Sequence, residues 1–297
     1  MGTSVMRLRF EDMTNPRQIR EYLKRVLDRP GMKKDEAMLY HYTSIKAVTS
    51  ILDSGYIWLG STANMNDYLE NECLKPISSQ LFLTSFSKAE ENMGMYKMYA
   101  QDPNGVIMKI SFAAAEQIIK EIPRSTTGEQ IVRIVRDNTL MDNQVEADLY
   151  WTAVCYKHLH SDMIIADSVK NLKIKHPLDE PELAGYIKLY GWEYEKEVRL
   201  CARTKTALAE NEKVAVKLPD EIKISIILGP GFDKVANRSD YAKLFRKGIN
   251  VQSSAYEAWV NLSNKENKML DPITDEEFEA IIYNKDSYER LNETEKN

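Results

Sequence analysis

The 297-residue chain predicts an α+β domain with a helical insertion at about 113–190. Three observations carry that expectation. Short strand-type runs such as "MLYHY", "LFLTSFS" and "IKISIIL" frame both ends of the chain, while the middle reads as helical in period. Hydrophobic residues make up 43% and charged residues 29%, the composition of an ordinary globular protein with material for a core. No apolar run approaches the length that spans a bilayer.

Taken in order, Asn15-Pro16 opens a helix with Ile19, Tyr22, Leu23, Val26 and Leu27 on one face, closed by Arg29-Pro30-Gly31. This helix and a charged linker fill residues 1–37. "MLYHY" reads as a strand, Ser44 caps a helix with Ile45, Val48, Ile51 and Leu52 inward, and Gly55 stops it. "YIWLGS" and "LFLTSFS" are further strands around the loop "STANMNDYLEN", where Asp67 caps a helix start three residues before Glu70. Glu90 to Ala100 looks helical, "DPNG" turns the chain and "VIMKISF" is a strand. After the insertion come "YEKEVRLCAR", "KVAVKL", "IKISIIL", a helix ending at Gly248 and a last strand in "INVQSSAYEAWV". A main domain over 38–262 and an acidic helix and tail over 263–297 complete the division.

Charge and motifs narrow the chemistry. The net charge of −5, with both signs well mixed, argues against a broad nucleic-acid or anionic-membrane footprint and leaves room for a local groove. The start lacks a secretory apolar segment, and Cys73, Cys155 and Cys201 are odd in number and far apart, so reduced thiols in a cytoplasm are expected. Dinucleotide, Walker, zinc-protease and paired-cysteine motifs are missing. Cys155, His158 and His160 crowd together without a second cluster to complete a zinc site, and no metal is expected.

Two stretches hold the candidate site. In "GWEYEKEVRL" read as a strand, Glu193, Glu195, Glu197 and Arg199 share one face. Such a row suits an exposed edge, or a cleft in which one carboxylate meets a developing positive charge. In "LTSFS", Thr84, Ser85 and Ser87 bring hydroxyls to a strand end, where they satisfy backbone groups or a substrate.

"LYHYTS", "IWLGS", "NMNDYLE", "LTSFS", "MYKMYA…NG", "WEYEKEVRL" and "ISIILGPG" occur in the order of a large bacterial family of unknown function, over roughly residues 38–255. That family has Trp where Tyr96 stands and Pro where Tyr68 stands. The arrangement resembles ADP-ribosyltransferases of the DarT-like and diphtheria-toxin-like branch, whose first strand begins "YH-x-T". "EKE" and "LTSFS" are similar to the Glu-x-Glu and Ser-Thr-Ser elements of the arginine-serine-glutamate branch. The resemblance implies a split mixed/antiparallel sheet and NAD as substrate. It makes His41 the ribose histidine, Glu197 the catalytic glutamate and Glu195 the residue that orients the acceptor. Thr43, Ser85 and Ser87 join His41 in binding NAD, and Tyr56, Tyr96 and Tyr99 compete to hold nicotinamide.

It further implies a macromolecular acceptor, nucleic acid or protein, and a role as toxin or phage-defence effector with an antitoxin or regulator as partner. An NAD glycohydrolase, an RNA 2′-phosphotransferase and a non-catalytic sensing module are the alternatives. On this reading Glu197→Gln removes activity and leaves stability little changed.

Overall fold

The computed structural model describes residues 37–67, 70–71, 74–100, 104–157 and 187–256. The N-terminal helix expected after Asn15 and the C-terminal helix and tail lie outside the described residues. The architecture is mixed α+β and rich in strands. Its described residues fall into two compact units, the first within Met1–His41, Ile51–Glu90 and Lys109–Lys223, the second within Tyr42–Ser50, Glu91–Met108 and Ile224–Asn297.

The first unit is built on a closed barrel. Its strands are β2 (Tyr56–Ser61), β3 (Leu81–Ser87), β5 (Ile131–Arg136), β6 (Thr139–Ala153), β9 (Glu197–Thr204) and β10 (Glu212–Lys217). Around the ring β2 pairs with β3, β3 with β9, β9 with β6, β6 with β5, β5 with β10 and β10 with β2, all antiparallel. The 15-residue β6 makes closure feasible. Its first half pairs with β5, through Ile131↔Glu146, and its second half with β9, through Ala147↔Thr204 to Ala153↔Val198. A closed sheet leaves no edge exposed and must fill its interior with alternate side chains. Ile57, Leu59, Phe82, Phe86, Leu149, Val198, Leu200, Val214 and Val216 occupy those alternate positions, and all are buried. A helix, α3 (Phe112–Lys120), is held to β6 by the Trp151 indole N–H, which donates to the Ala115 carbonyl at 2.8 Å.

β1 (Met38–Thr43) meets the far end of β3 at Tyr40↔Ser87, whereas β2 pairs with the near end at Leu83 and Phe82. The start of the helix α1 (Ile45–Ser54) is capped as its sequence predicts, by Ser44 Oγ accepting from the Ala47 N–H at 3.1 Å, and Gly55 follows its end at φ 72°.

In the second unit β11 (Ile224–Leu228) runs parallel to β12 (Asn250–Ser253), and α4 (Arg238–Arg246) makes the crossover that parallel strands require. The helix α2 (Met93–Tyr99) is capped by Asn92, whose side chain accepts from the N–H groups of Gly94 and Met95. The strand β4 (Val106–Ser111) follows Gly105, where an added Cβ would meet the Ala100 carbonyl oxygen at 1.7 Å, so only glycine fits. Among the described residues no helix is long and apolar enough to cross a membrane.

Two expectations are corrected. The described part of the helical insertion is mostly strand: after α3 the chain forms β5, β6 and the short β7 (Cys155–Lys157), and β8 (Ile187–Leu189) closes it, while 158–186 lie outside the described residues. The cause is legible in "IVRIVRDNT": Asp137 and Asn138 sit at φ 49° and 60°, the left-handed pair of a tight hairpin turn. The second correction concerns "GWEYEKEVRL". Tyr190–Glu195 forms a 3₁₀ helix, and the strand begins only at Glu197. Glu193 and Glu195 therefore do not continue the strand face of Glu197.

Candidate functional site

All residues of the site belong to the first unit. Lys196, between the helical turn and β9, stands at φ 44°, a conformation that L side chains adopt at a cost. Its N–H donates to the Glu193 carbonyl at 3.1 Å and its carbonyl accepts from the Lys88 N–H at 3.1 Å, which fixes the kink. Beyond it, alternation turns Glu197 and Arg199 to the outside of the barrel, opposite Ser87 and Ser85 of β3. That outer face is covered, for Glu197 is 4% exposed and Arg199 is fully buried.

Arg199 bridges two carboxylates. Its Nε and Nη2 donate to Glu197 at 2.8 and 2.9 Å, and its Nη1 and Nη2 donate to Glu70, the latter at 3.1 Å. Lys188 of β8 completes the cluster, with Nζ 2.6 Å from Glu195, 2.9 Å from Glu197 and 3.9 Å from Glu70. Three carboxylates and two cations thus share one dry space. Such groups persist only when paired and hydrogen-bonded throughout.

The pairing splits the carboxylates in acidity. Burial pushes the Glu197 carboxyl up, but the Arg199 and Lys188 charges, with hydrogen bonds from Arg199 and Ser85, outweigh it and hold the group at about 2. For Glu70 burial wins over Arg199 and Lys188, the Glu197 charge adds to it, and the pKa rises. Glu197 is accordingly the fixed anion, and Glu70 the member that takes up a proton first.

The Ser85 hydroxyl donates to Glu197 Oε1 at 2.5 Å, and the Ser85 carbonyl lies 2.7 Å from His41 Nδ1. A carbonyl can only accept, so Nδ1 carries the proton and Nε2 keeps its lone pair. The His41 ring lies 5.1 Å from that of Phe86, and burial lowers its pKa. Ser87 Oγ donates to the Glu195 carbonyl at 2.6 Å, and the Glu197 N–H donates to the Tyr156 hydroxyl at 2.8 Å.

His41, Ser85, Ser87, Glu195 and Glu197 are thus joined through shared partners. Thr43, Tyr96 and Tyr99 belong to the second unit, where the Tyr96 hydroxyl donates to Glu91 at 3.0 Å. Tyr56 lies on β2 with the Arg133 guanidinium 5.5 Å from its ring centre. Cys155 lies on a strand instead of a helix, and His158 and His160 lie outside the described residues. Besides Tyr156, an aromatic side chain near the cluster is Trp192, whose ring centre is 5.5 Å from Lys188 Nζ and 6.2 Å from the Tyr194 ring.

Sequence reasoning missed three participants. Glu70 was visible only as the neighbour of a cap, and that part holds: its N–H donates to Asp67 Oδ1 at 3.3 Å. Its carboxylate instead reaches Arg199, 129 residues away. Lys188 carries a usable signal, a lone cation inside the apolar-aromatic run "YIKLY". Tyr156 carries none. The geometry also revises the expectation for Glu197→Gln, since removing a buried charge with two cationic partners costs stability. The chain matches no protein-family model, no curated protein and no solved structure.

Proposed function

We propose that the protein is a cytoplasmic ADP-ribosyltransferase-like enzyme that cleaves NAD at the nicotinamide–ribose bond and transfers ADP-ribose to a macromolecule. One observation carries the reading: Ser85 hydrogen-bonds Glu197 through its hydroxyl and His41 through its carbonyl. Three residues singled out in separate segments are thereby linked through Ser85, whose hydroxyl reaches the ionised Glu197 carboxylate. The fork at β3, with β1 and β2 at its two ends, supports a split-sheet core of that fold class.

In the proposed reaction the N-glycosidic bond breaks and its electron pair leaves with nicotinamide. Positive charge grows on the ribose, and the Glu197 carboxylate faces it. An anion fixed in advance and shielded from water stabilises such a transition state without reorganising. His41 Nε2 accepts from a ribose hydroxyl and holds the sugar for attack. The acceptor nucleophile then bonds the anomeric carbon and gives up its proton. Glu195, tied to Lys188, orients that acceptor.

A second reading has its own observation. Both Glu197 oxygens already accept hydrogen bonds, from Ser85 and from Arg199, which suits a non-catalytic module whose ion cluster is structural. Incubation with labelled NAD separates the readings. Label on a macromolecule marks a transferase and free ADP-ribose a glycohydrolase. Absence of turnover, together with inertness toward 2′-phosphorylated RNA, marks the module.

A further inference from the structure

One strand of the second unit is pinned by a carboxylate that has no part in the Glu197 cluster. Among the described residues β12 pairs only with β11, in parallel, from Ser225↔Asn250 to Leu228↔Ser253. Burial holds it weakly, for Asn250, Gln252 and Ser253 are exposed and Val251 is half-buried. β11 is the opposite, with Ile226, Ile227 and Leu228 buried. An uncharged apolar strand of this kind needs its edge covered.

The groups that hold β12 down lie just past its end. Ser254 is 5% exposed and its hydroxyl donates to Glu91 Oε1, while the Ala255 N–H donates to Glu91 Oε2 at 2.8 Å. The Tyr96 hydroxyl donates to the same Oε1 at 3.0 Å, from a fully buried ring that meets Tyr42 edge-on. Ser254 Oγ also accepts from the Tyr256 N–H at 3.0 Å. Segments 163 residues apart are thereby closed onto one anion. Hydrogen bonds to an ionised acceptor are about twice as strong as neutral ones, so the closure draws on the Glu91 charge.

At its other end β12 follows a hinge. Gly248 stands at φ 65° after α4, where its N–H donates to the Phe245 carbonyl at 2.8 Å and the Ile249 N–H to the Leu244 carbonyl at 3.0 Å. Glycine enters and leaves that conformation without the cost that a side chain adds. A short strand between a hinge and a latch is an element that copies of a chain can exchange.

We infer that Glu91 latches a strap, residues 249–255, which swings about Gly248, and that the β11 edge it vacates takes the same strap from a second copy of the chain. The register names this occupant: β12 of a second copy remakes the four pairs that the resident β12 gives up. The exchanged form also remakes the latch, so Glu91 sets the rate of exchange by setting how often the strap opens.

The test mixes two full-length chains, one carrying Ser225→Cys and the other Asn250→Cys, positions that face each other across the β11–β12 pair. In a buffer of oxidised and reduced glutathione, a disulfide joins these positions between chains only when β12 of one lies on β11 of the other. The mixture should yield the covalent pair, and either chain alone should not. In a Glu91→Gln background the amides of 249–256 should exchange hydrogen about tenfold to a hundredfold faster, the scale of losing one hydrogen bond to a charged acceptor, and the covalent pair should form faster by a similar factor. Ser254→Ala, which keeps the charge and removes one donor, should act in the same direction. The amides of α4 and β9 should keep wild-type rates, which separates release of the strap from unfolding. The inference is overturned if the mixture never yields the covalent pair, if both variants exchange and couple at the wild-type rate, or if α4 and β9 quicken together with the strap.

Discussion

Replacing Arg199 with methionine tests whether the buried cluster holds the first unit together. Arg199 is fully buried and donates four hydrogen bonds to two carboxylates. Methionine fills much of the volume but removes the charge, so the loss is electrostatic and not a cavity. Breaking a buried pair costs about 3–5 kcal/mol, because the partner left behind is an uncompensated ion. Here two partners are left, which raises the cost, but Glu197 keeps Lys188 at 2.9 Å and the Ser85 hydroxyl. Among the described residues Glu70 keeps only the more distant Lys188, at 3.9 Å, and takes a proton instead. The two corrections oppose each other and leave about 3–5 kcal/mol, a large part of the roughly 5–15 kcal/mol typical of a folded domain. Urea unfolding at pH 7 followed by circular dichroism measures it. Adding Glu70→Gln should recover part of the loss, with a coupling of about 2 kcal/mol or more. A loss under about 1 kcal/mol, or strictly additive single effects, refutes the reasoning.

Acid titration should separate the two Arg199 carboxylates. The folded Glu197 pKa of about 2 lies below its ordinary 4.5, so its stabilisation is complete above pH 4.5 and drains away as pH falls to 2. That drop amounts to roughly 3 kcal/mol from a depression of about 2.5 units. Glu70 has the opposite sign, its raised pKa adding stability as pH falls toward 4.5, so Glu70→Gln should remove that rise and keep the acid loss. The same denaturation series across pH checks both. Lys196→Gly relieves the left-handed strain and should be close to neutral, while Lys196→Val should lose about 1–3 kcal/mol; equal melting of the two variants contradicts the kink. In a nitrogen NMR titration the His41 ring should turn over below 6.5, because burial outweighs the Ser85 hydrogen bond; a pKa above 6.5 contradicts its burial, and a neutral ring with its proton on Nε2 contradicts the contact with the Ser85 carbonyl.

Local signals predicted local structure well. "LFLTSFS" and "YIWLGS" alternate as half-buried strands do, and Ser44 and Gly55 bound α1 through capping and left-handed geometry. The barrel was not legible, because closure depends on which strands pair. β3 with β9 joins segments over 100 residues apart. The stretch from Ile131 to Ala153 misled for a physical reason: outward residues such as Glu146 and Asp148 interrupt the apolar pattern, and a bulge near Arg133 shifts its phase. The site was half legible. His41, Ser85 and Glu197 stood out by residue type and setting. Glu70 and Lys188 did not, because an ion cluster formed through distant contacts leaves no spacing in the chain. The row of four like-facing residues in "EYEKEVR" also looked regular, and the 3₁₀ turn through Glu195 with the left-handed backbone at Lys196 breaks it.

The most direct test of the account is nicotinamide release from labelled NAD by wild type, Glu197→Gln and Glu195→Gln, each shown by circular dichroism to be folded at the assay temperature. In the proposed reaction the Glu197 charge is the group that faces the ribose cation. Its removal should slow release by about 10²–10³-fold, the scale of losing one strong electrostatic stabiliser, while Glu195→Gln should impair transfer and leave slow hydrolysis. A folded Glu197→Gln that releases nicotinamide at the wild-type rate, or a wild type that releases none, contradicts the central claim.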